Sequence, residues 1–323
     1  MNGSNSFNGN GGNHQHFSGT HYVVSEDVDM LITRWCLEKN LLPPSDELYV
    51  DMRAKMKGFL QDIFAKVTFV NSQEIRNGLL ESVAAHRAVG LTVISLERAY
   101  LEDSEVDGRI ELTRTVDGDG DDVLVSAKRN SCPVPKLQQF SRLRDKNIAL
   151  IDDVVFSGKT LEGTIGQLHH YHTNVHAVTA AIGVKSGVDY LNKARFCVTG
   201  QPEHMAVHCL EEFDGVSDQV CERDFYPGVP YSGREHFTYD NASFPYVLPF
   251  GKPQRWASIP EKEAVQFSCL CIDNAVALFE EIERVNNMTI SCQFVPRPVF
   301  GSPNDGTRFA DFLKEKRAQL LKA

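Results

Sequence analysis

The chain contains no Cys-x-x-Cys pair. Its eight cysteines are scattered at positions 36, 132, 197, 209, 221, 269, 271 and 292. That spacing gives no disulfide framework and no cysteine-rich zinc site. It suits reduced, mostly buried thiols in a cytoplasmic protein. No run of about 18 apolar residues occurs, so no membrane span is expected. The first residues lack a basic-then-apolar leader, so secretion is not supported. Basic residues are in deficit, 33 Lys and Arg against 43 Asp and Glu, for a formal net charge of −10. A general nucleic-acid partner would prefer the opposite sign, although a local basic pocket stays open. No internal repeat is present.

What is there is a chain of 323 residues, 42% hydrophobic and 24% charged. It is long enough for one large α/β domain with additions, or for two domains. Residues 1–20 are rich in Asn, Gly, Ser and His and cannot bury a core, so they read as a disordered tail. Residues 21–88 read as an N-terminal helical segment. Its helices are expected over 26–38, 45–66 with Ser45 as cap, and 71–87 with Asn71 and Glu74 in a capping-box arrangement.

Strands are expected at 89–96, 148–151, 176–184 and 195–199. Residues 109–116 and 123–128 read as a hairpin around the acidic tip 117–122. The strand–helix–strand order predicts a doubly wound, mainly parallel sheet across residues 89–201. From 202 to 260 Gly, Pro and aromatic residues cluster. Two helical segments, 261–285 and 307–322, make residues 261–323 a C-terminal helical extension.

The densest chemistry lies in NIALIDDVVFSGKT, residues 147–160. An apolar strand ends in Asp152 and Asp153, and a turn with Ser157, Gly158 and Thr160 opens a helix. Such sheets bind ligands outside the carboxyl ends of their strands. Paired carboxylates accept hydrogen bonds from sugar hydroxyls. Turn amides and hydroxyls at a helix N-terminus suit a phosphate. The bland alternative is an ordinary strand-to-helix connection.

These residues closely resemble the binding motif of the type I phosphoribosyltransferases, which use phosphoribosyl pyrophosphate. Four apolar residues, two Asp, two apolar residues, a variable position and Ser-Gly-x-Thr all fall in register. The resemblance implies that Asp152 and Asp153 hold the ribose hydroxyls, directly or through Mg²⁺. It implies that Val155, Phe156, Ser157, Gly158, Lys159 and Thr160 cradle the 5′-phosphate. The implied activity is transfer of a 5-phosphoribosyl group between pyrophosphate and a small nitrogen base, with Mg²⁺, in a protein that is commonly a homodimer. The alternative is a non-catalytic member that senses a nucleotide or ribose phosphate, or partners another enzyme. Phe156 departs from several purine-using relatives, which carry a proton-accepting Asp there.

Further positions have a role only through that resemblance. Arg98 follows the strand at 89–96, where relatives bind pyrophosphate, but Glu97 stands beside it and glycines are missing; a salt bridge is the equal reading. Lys128 and Arg129 can clamp the leaving group or simply end a hairpin. Lys185 occupies the place of a base-reading lysine. In the candidate hood, residues 202–260, the stretch 221–234 brings Arg223, Asp224, Phe225, Tyr226, Tyr231 and Arg234. Aromatics there can stack on a base, the arginines can bind pyrophosphate or a base carbonyl, and Asp224 can hold a second Mg²⁺. A tight turn over a core edge is the competing reading.

Three look-alikes fail. Gly158-Lys159-Thr160 ends like a triphosphate loop, but the leading glycine would be Asp153. Asp117, Asp119 and Asp121 start like a calcium loop whose glycine would be Asp122. His169, His170, His172 and His176 straddle a helix end and a strand start, so no one face gathers them.

Overall fold

The structure, a computed structural model, describes residues 21–116, 123–128, 132, 134–193, 196–197, 202–203, 206–214, 221–223, 233–236, 242–295 and 299–322. In chain order the strands are β1 (His21–Glu26), β2 (Lys66–Asn71), β3 (Thr92–Ser95), β4 (Gly108–Arg109), β5 (Leu112–Val116), β6 (Val123–Lys128), β7 (Asn147–Val155), β8 (Asn174–Val184), β9 (Phe196–Cys197), β10 (Pro202–Glu203), β11 (Ala206–Phe213), β12 (Cys221–Arg223), β13 (Arg234–His236) and β14 (Ser243–Phe244). The helices are α1 (Val28–Glu38), α2 (Asp46–Ile63), α3 (Ser72–Ala88), α4 (Lys136–Ser141), α5 (Lys159–His170), α6 (Lys185–Lys193), α7 (Pro253–Trp256), α8 (Ala264–Asn286) and α9 (Phe309–Leu320). Among the described residues no helix is long and apolar enough to cross a membrane.

The central sheet has five parallel strands in the order β11-β8-β7-β3-β4. It is wound on both faces. Leu161, Ile165 and Leu168 of α5 pack with Ile148, Leu150 and Val178 on one face. Ile75, Leu79 and Val83 of α3 pack with Val93, Ile151 and Ile182 on the other. This is the α/β architecture expected from the strand–helix alternation.

The helix α3 shows how local sequence sets the frame. Asn71 caps it, its side chain accepting from Gln73 N at 2.9 Å and Glu74 N at 3.2 Å. Its far end closes at Gly90, φ +82°, with Gly90 N bonded to Arg87 O and Leu91 N bonded to His86 O. That is a Schellman end, and glycine is the residue that adopts its left-handed angle without cost. Asn71→Ala should lower stability by about 1 kcal/mol, read as a lower urea midpoint with an unchanged slope.

Strand placement departs from expectation in three places. A second parallel sheet, β12-β1-β2, was not expected; it meets the expected helices at residues 26, 66 and 71. Of the segment at 195–199 the described residues form the short β9, which pairs antiparallel with β10. The strand that continues the central sheet is β11. It is an edge strand, so it alternates instead of running apolar: Val207 and Cys209 face the α5 side, and Leu210 faces the α3 side. The hairpin β5–β6 forms as expected and belongs to a four-stranded sheet with β13 and β14. Its acidic tip lies outside the described residues.

The largest core joins the two ends of the chain. Tyr22, Ile32, Trp35, Met52 and Leu60 pack with Phe267, Phe279, Phe309 and Leu313. Each such side chain contributes about 1.5–3 kcal/mol on burial. The same cluster receives Val184 from the end of β8, with Phe156 and Phe213 packed against it. These come from the ends of three adjacent strands. The N- and C-terminal segments therefore form a body set against the carboxyl ends of β7, β8 and β11.

Candidate functional site

The strand β7 is central, paired with β3 on one side and β8 on the other. Its pairing with β3 stops at Ser95, opposite Ile151, while β7 runs on to Val155. The acid pair therefore lies inside the strand rather than at its end, just past the end of the neighbouring strand. Both side chains are half-buried. Asp152 Oδ1 accepts from Asp153 N at 3.0 Å, and Asp153 Oδ1 accepts from Val154 N at 2.8 Å. Each carboxylate is thus oriented by the next backbone amide.

The turn follows at once. Val155 is buried in the α5-side core and Phe156 packs against the terminal core, so both side chains serve the scaffold. Ser157 and Lys159 are exposed, Gly158 is buried, and Thr160 is half-buried. Gly158 caps α5 at φ +76°, and no side chain caps the helix there. The first-turn amides of α5 carry no partner within the helix, and with the helix dipole they suit an anion.

Helix α6 lies against this turn. A Cβ on Gly187 would meet Phe156 O at 1.9 Å, and one on Gly158 would meet Leu191 Cγ at 2.8 Å and Gly187 O at 3.1 Å. Two glycines therefore allow backbone-to-backbone contact between the phosphate turn and α6, and Ser186, exposed beside Gly187, comes with it. Sequence reading missed this contact. The one signal available was a glycine at the third position of a helix, where a side chain is normally preferred.

The other expected residues fall as follows. Arg98 is mostly buried and pairs with Glu111 at 3.8 Å, the salt-bridge alternative. Lys185 opens α6 and pairs with Asp189 at 3.3 Å and Glu212 at 3.5 Å. The hydrogen bond to Asp189, then the charges of both acids, raise its pKa above the ordinary lysine value. Arg234 is buried, with its guanidinium 4.6 Å from the Trp256 ring centroid and 5.8 Å from that of Tyr246. These rings hold the guanidinium in place. Of Lys128 and Arg223 only the backbone is described, in β6 and β12; Arg129, Asp224, Phe225, Tyr226 and Tyr231 lie outside the described residues.

The loop after β3 is tightly fastened. Leu96 N donates to Ile151 O at 2.7 Å, which brings the loop beside the acid pair. Glu97 is buried, and its carboxylate accepts from Tyr100 N at 2.8 Å and Leu101 N at 3.0 Å. Arg34 donates to the carbonyls of Arg98 and Ala99, Arg76 to that of Tyr100, and Arg109 to those of Glu97 and Leu101. The same arginines pair with acids: Arg34 with Glu102 at 2.9 Å, Arg76 with Glu105 at 2.6 Å, and Arg109 with Asp103. The hydrogen bond from Arg76 holds the Glu105 carboxyl below its ordinary value.

No protein-family model and no curated protein matches the chain. Solved structures do. Adenine phosphoribosyltransferase from Leishmania tarentolae aligns at 14% identity over 44% of this chain and 70% of that one, with a TM-score of 0.28. The Trypanosoma brucei enzyme, solved with AMP, pyrophosphate and ribose-5-phosphate, gives 14%, 43%, 65% and 0.30 in the same order. A hypothetical protein from Neisseria gonorrhoeae with bound ppGpp gives 16%, 47%, 84% and 0.28. Likeness at these TM-scores decides nothing; the fold rests on the strand order and the two covered faces described above.

Mg²⁺ can be tested against the donor set. Among the described residues no three His, Cys, Asp or Glu side chains gather to hold a metal ion. Two half-buried carboxylates with hard oxygens still fit Mg²⁺, which takes few protein ligands and fills its shell with phosphate oxygens and water.

Proposed function

We propose that this protein grips a 5-phosphoribosyl group on residues 152–160, and that the reaction it serves is phosphoribosyl transfer between pyrophosphate and a nitrogen base. One observation carries this reading. A half-buried acid pair stands past the end of the neighbouring strand, three residues before a turn in which Ser157 is exposed and the left-handed Gly158 opens α5. Asp152 and Asp153 would accept from the 2′- and 3′-hydroxyls, or hold Mg²⁺ that does so. The amides at the start of α5, with the Ser157 and Thr160 hydroxyls and Lys159, would hold the 5′-phosphate.

In such a transfer the sugar passes through a cation-like state, and the protein acts by orientation, charge and exclusion of water. Mg²⁺, when bound, would offset the charge of the phosphate oxygens. Asp152 and Asp153 would fix the ribose and place negative charge near the developing cation. Phe156 would keep the floor of the turn apolar and offers no proton acceptor. A second reading is binding without turnover, as a sensor of a nucleotide or ribose phosphate or as the partner of another enzyme. The pairing of Arg98 with Glu111 favours it.

The test is calorimetry of the full chain with ribose 5-phosphate, adenosine 5′-monophosphate and phosphoribosyl pyrophosphate, followed by turnover of labelled phosphoribosyl pyrophosphate over a panel of bases with Mg²⁺. Binding with turnover supports transfer. Binding with no turnover on any base leaves the sensor. Binding of none of ribose 5-phosphate, adenosine 5′-monophosphate and phosphoribosyl pyrophosphate removes both readings.

A further inference from the structure

The loop after β3 carries an inference about which phosphoribosyl compound the site accepts. It rests on the reading that residues 152–160 hold a 5-phosphoribosyl group. Three features of the loop bear on any anion placed beside the acid pair. Its backbone amides at Tyr100 and Leu101 are occupied by an internal anion, the Glu97 carboxylate. The guanidinium groups of Arg34, Arg76 and Arg109 are drawn onto its five successive carbonyls, Glu97 to Leu101. Four arginines, Arg34, Arg76, Arg98 and Arg109, pair with five acids, Glu97, Glu102, Asp103, Glu105 and Glu111. The charge of the fastened loop is therefore net negative.

A pyrophosphate group needs backbone donors and cations together. Here two of the loop amides, Tyr100 N and Leu101 N, and the guanidinium groups of Arg34, Arg76 and Arg109 are already engaged from within the chain. Admitting a diphosphate would mean removing the Glu97 carboxylate from two amides, or leaving a buried negative charge beside a second one; either step is costly. A neutral group meets no such barrier.

We propose that Glu97 sets the ligand class of this site: a 5-phosphorylated ribose whose C1 substituent is uncharged, such as a nucleoside 5′-monophosphate or ribose 5-phosphate, in preference to phosphoribosyl pyrophosphate. Glu97 is a specificity determinant that acts through the loop it fastens, not a catalytic residue.

The experiment is calorimetry on the full chain with ribose 5-phosphate, adenosine 5′-monophosphate and phosphoribosyl pyrophosphate, each with and without Mg²⁺. Wild type should bind at least one of the first two about ten-fold or more tighter than the pyrophosphate donor. Glu97→Gln should narrow that ratio at least about ten-fold by improving the donor's affinity while leaving ribose 5-phosphate within about two-fold. Retained ribose 5-phosphate binding certifies that the variant is folded. Should Glu97→Gln not fold, Glu111→Gln, which removes one acid paired with Arg98 without touching the loop amides, should narrow the ratio several-fold. Tighter binding of the pyrophosphate donor by wild type, or a ratio unmoved by the folded variant, would overturn the inference and leave the site itself standing. Absence of all three ligands from the wild-type site would remove the underlying reading, and this inference with it.

Discussion

Asp152→Asn with Asp153→Asn is expected to abolish binding of ribose 5-phosphate, a loss of at least about 100-fold. Hydrogen bonds to a charged acceptor contribute about 1.5–3 kcal/mol each, and two are removed at once. An amide retains one acceptor oxygen but loses the charge, so the loss is electrostatic and not steric. Stability should barely change. Both side chains are half-buried, and the contacts each makes with the next amide, Asp153 N and Val154 N, can be kept by an Asn carbonyl. Calorimetry for affinity and a thermal melt for the fold separate the two effects. Unchanged affinity in a folded double variant would remove the acid pair from the site.

The second large effect is expected at Gly187→Ala. The added methyl would stand 1.9 Å from Phe156 O and 2.7 Å from its carbonyl carbon. Those atoms are backbone, so no side-chain rotation relieves the overlap. Either α6 lifts or the turn at 156–158 shifts. Overpacking of this kind costs about 1–3 kcal/mol and occasionally more; with main-chain atoms on both sides the upper end applies. Because the turn moves with α6, ribose 5-phosphate affinity should drop at least about ten-fold in the same variant. Gly166→Ala is the control, because a Cβ there meets nothing within 4 Å. Equal stability and affinity of the two variants would show that α6 does not brace the turn.

Legibility in the sequence followed physical locality. Helix α3 was readable because its signals are local: Asn71 with Glu74 at the start and a glycine at the end. The motif strand and α5 were readable because a buried parallel strand is a plain apolar run, and Leu161, Ile165 and Leu168 share a face. Strand β2 was not readable. Its residues carry on the hydrophobic pattern of α2, and its partner β1 lies about forty residues earlier. Strand β11 was obscured by Glu211 and Glu212, which an edge strand tolerates and a central one does not.

At the site the residue types were legible and their commitments were not. Arg98 and Lys185 are cations in suggestive places, yet Glu111 and Glu212 meet them from other segments, and Asp189 meets Lys185 one turn along α6. The fastening of the 97–101 loop depends on Arg34 and Arg76, one from α1 and one from α3, which no local window contains.

The union of the chain's two ends has a consequence for biogenesis. Tyr22 bonds to Ala257 O at 2.7 Å, and Leu42 N to Asn286 Oδ1 at 2.7 Å. These pairs lie more than two hundred residues apart, so they close late and slowly. On the ribosome the central sheet can assemble while the aromatic faces of α1 and α2 still wait for α8 and α9. A nascent chain stalled before α8 would expose Trp35 and its neighbours to chaperones.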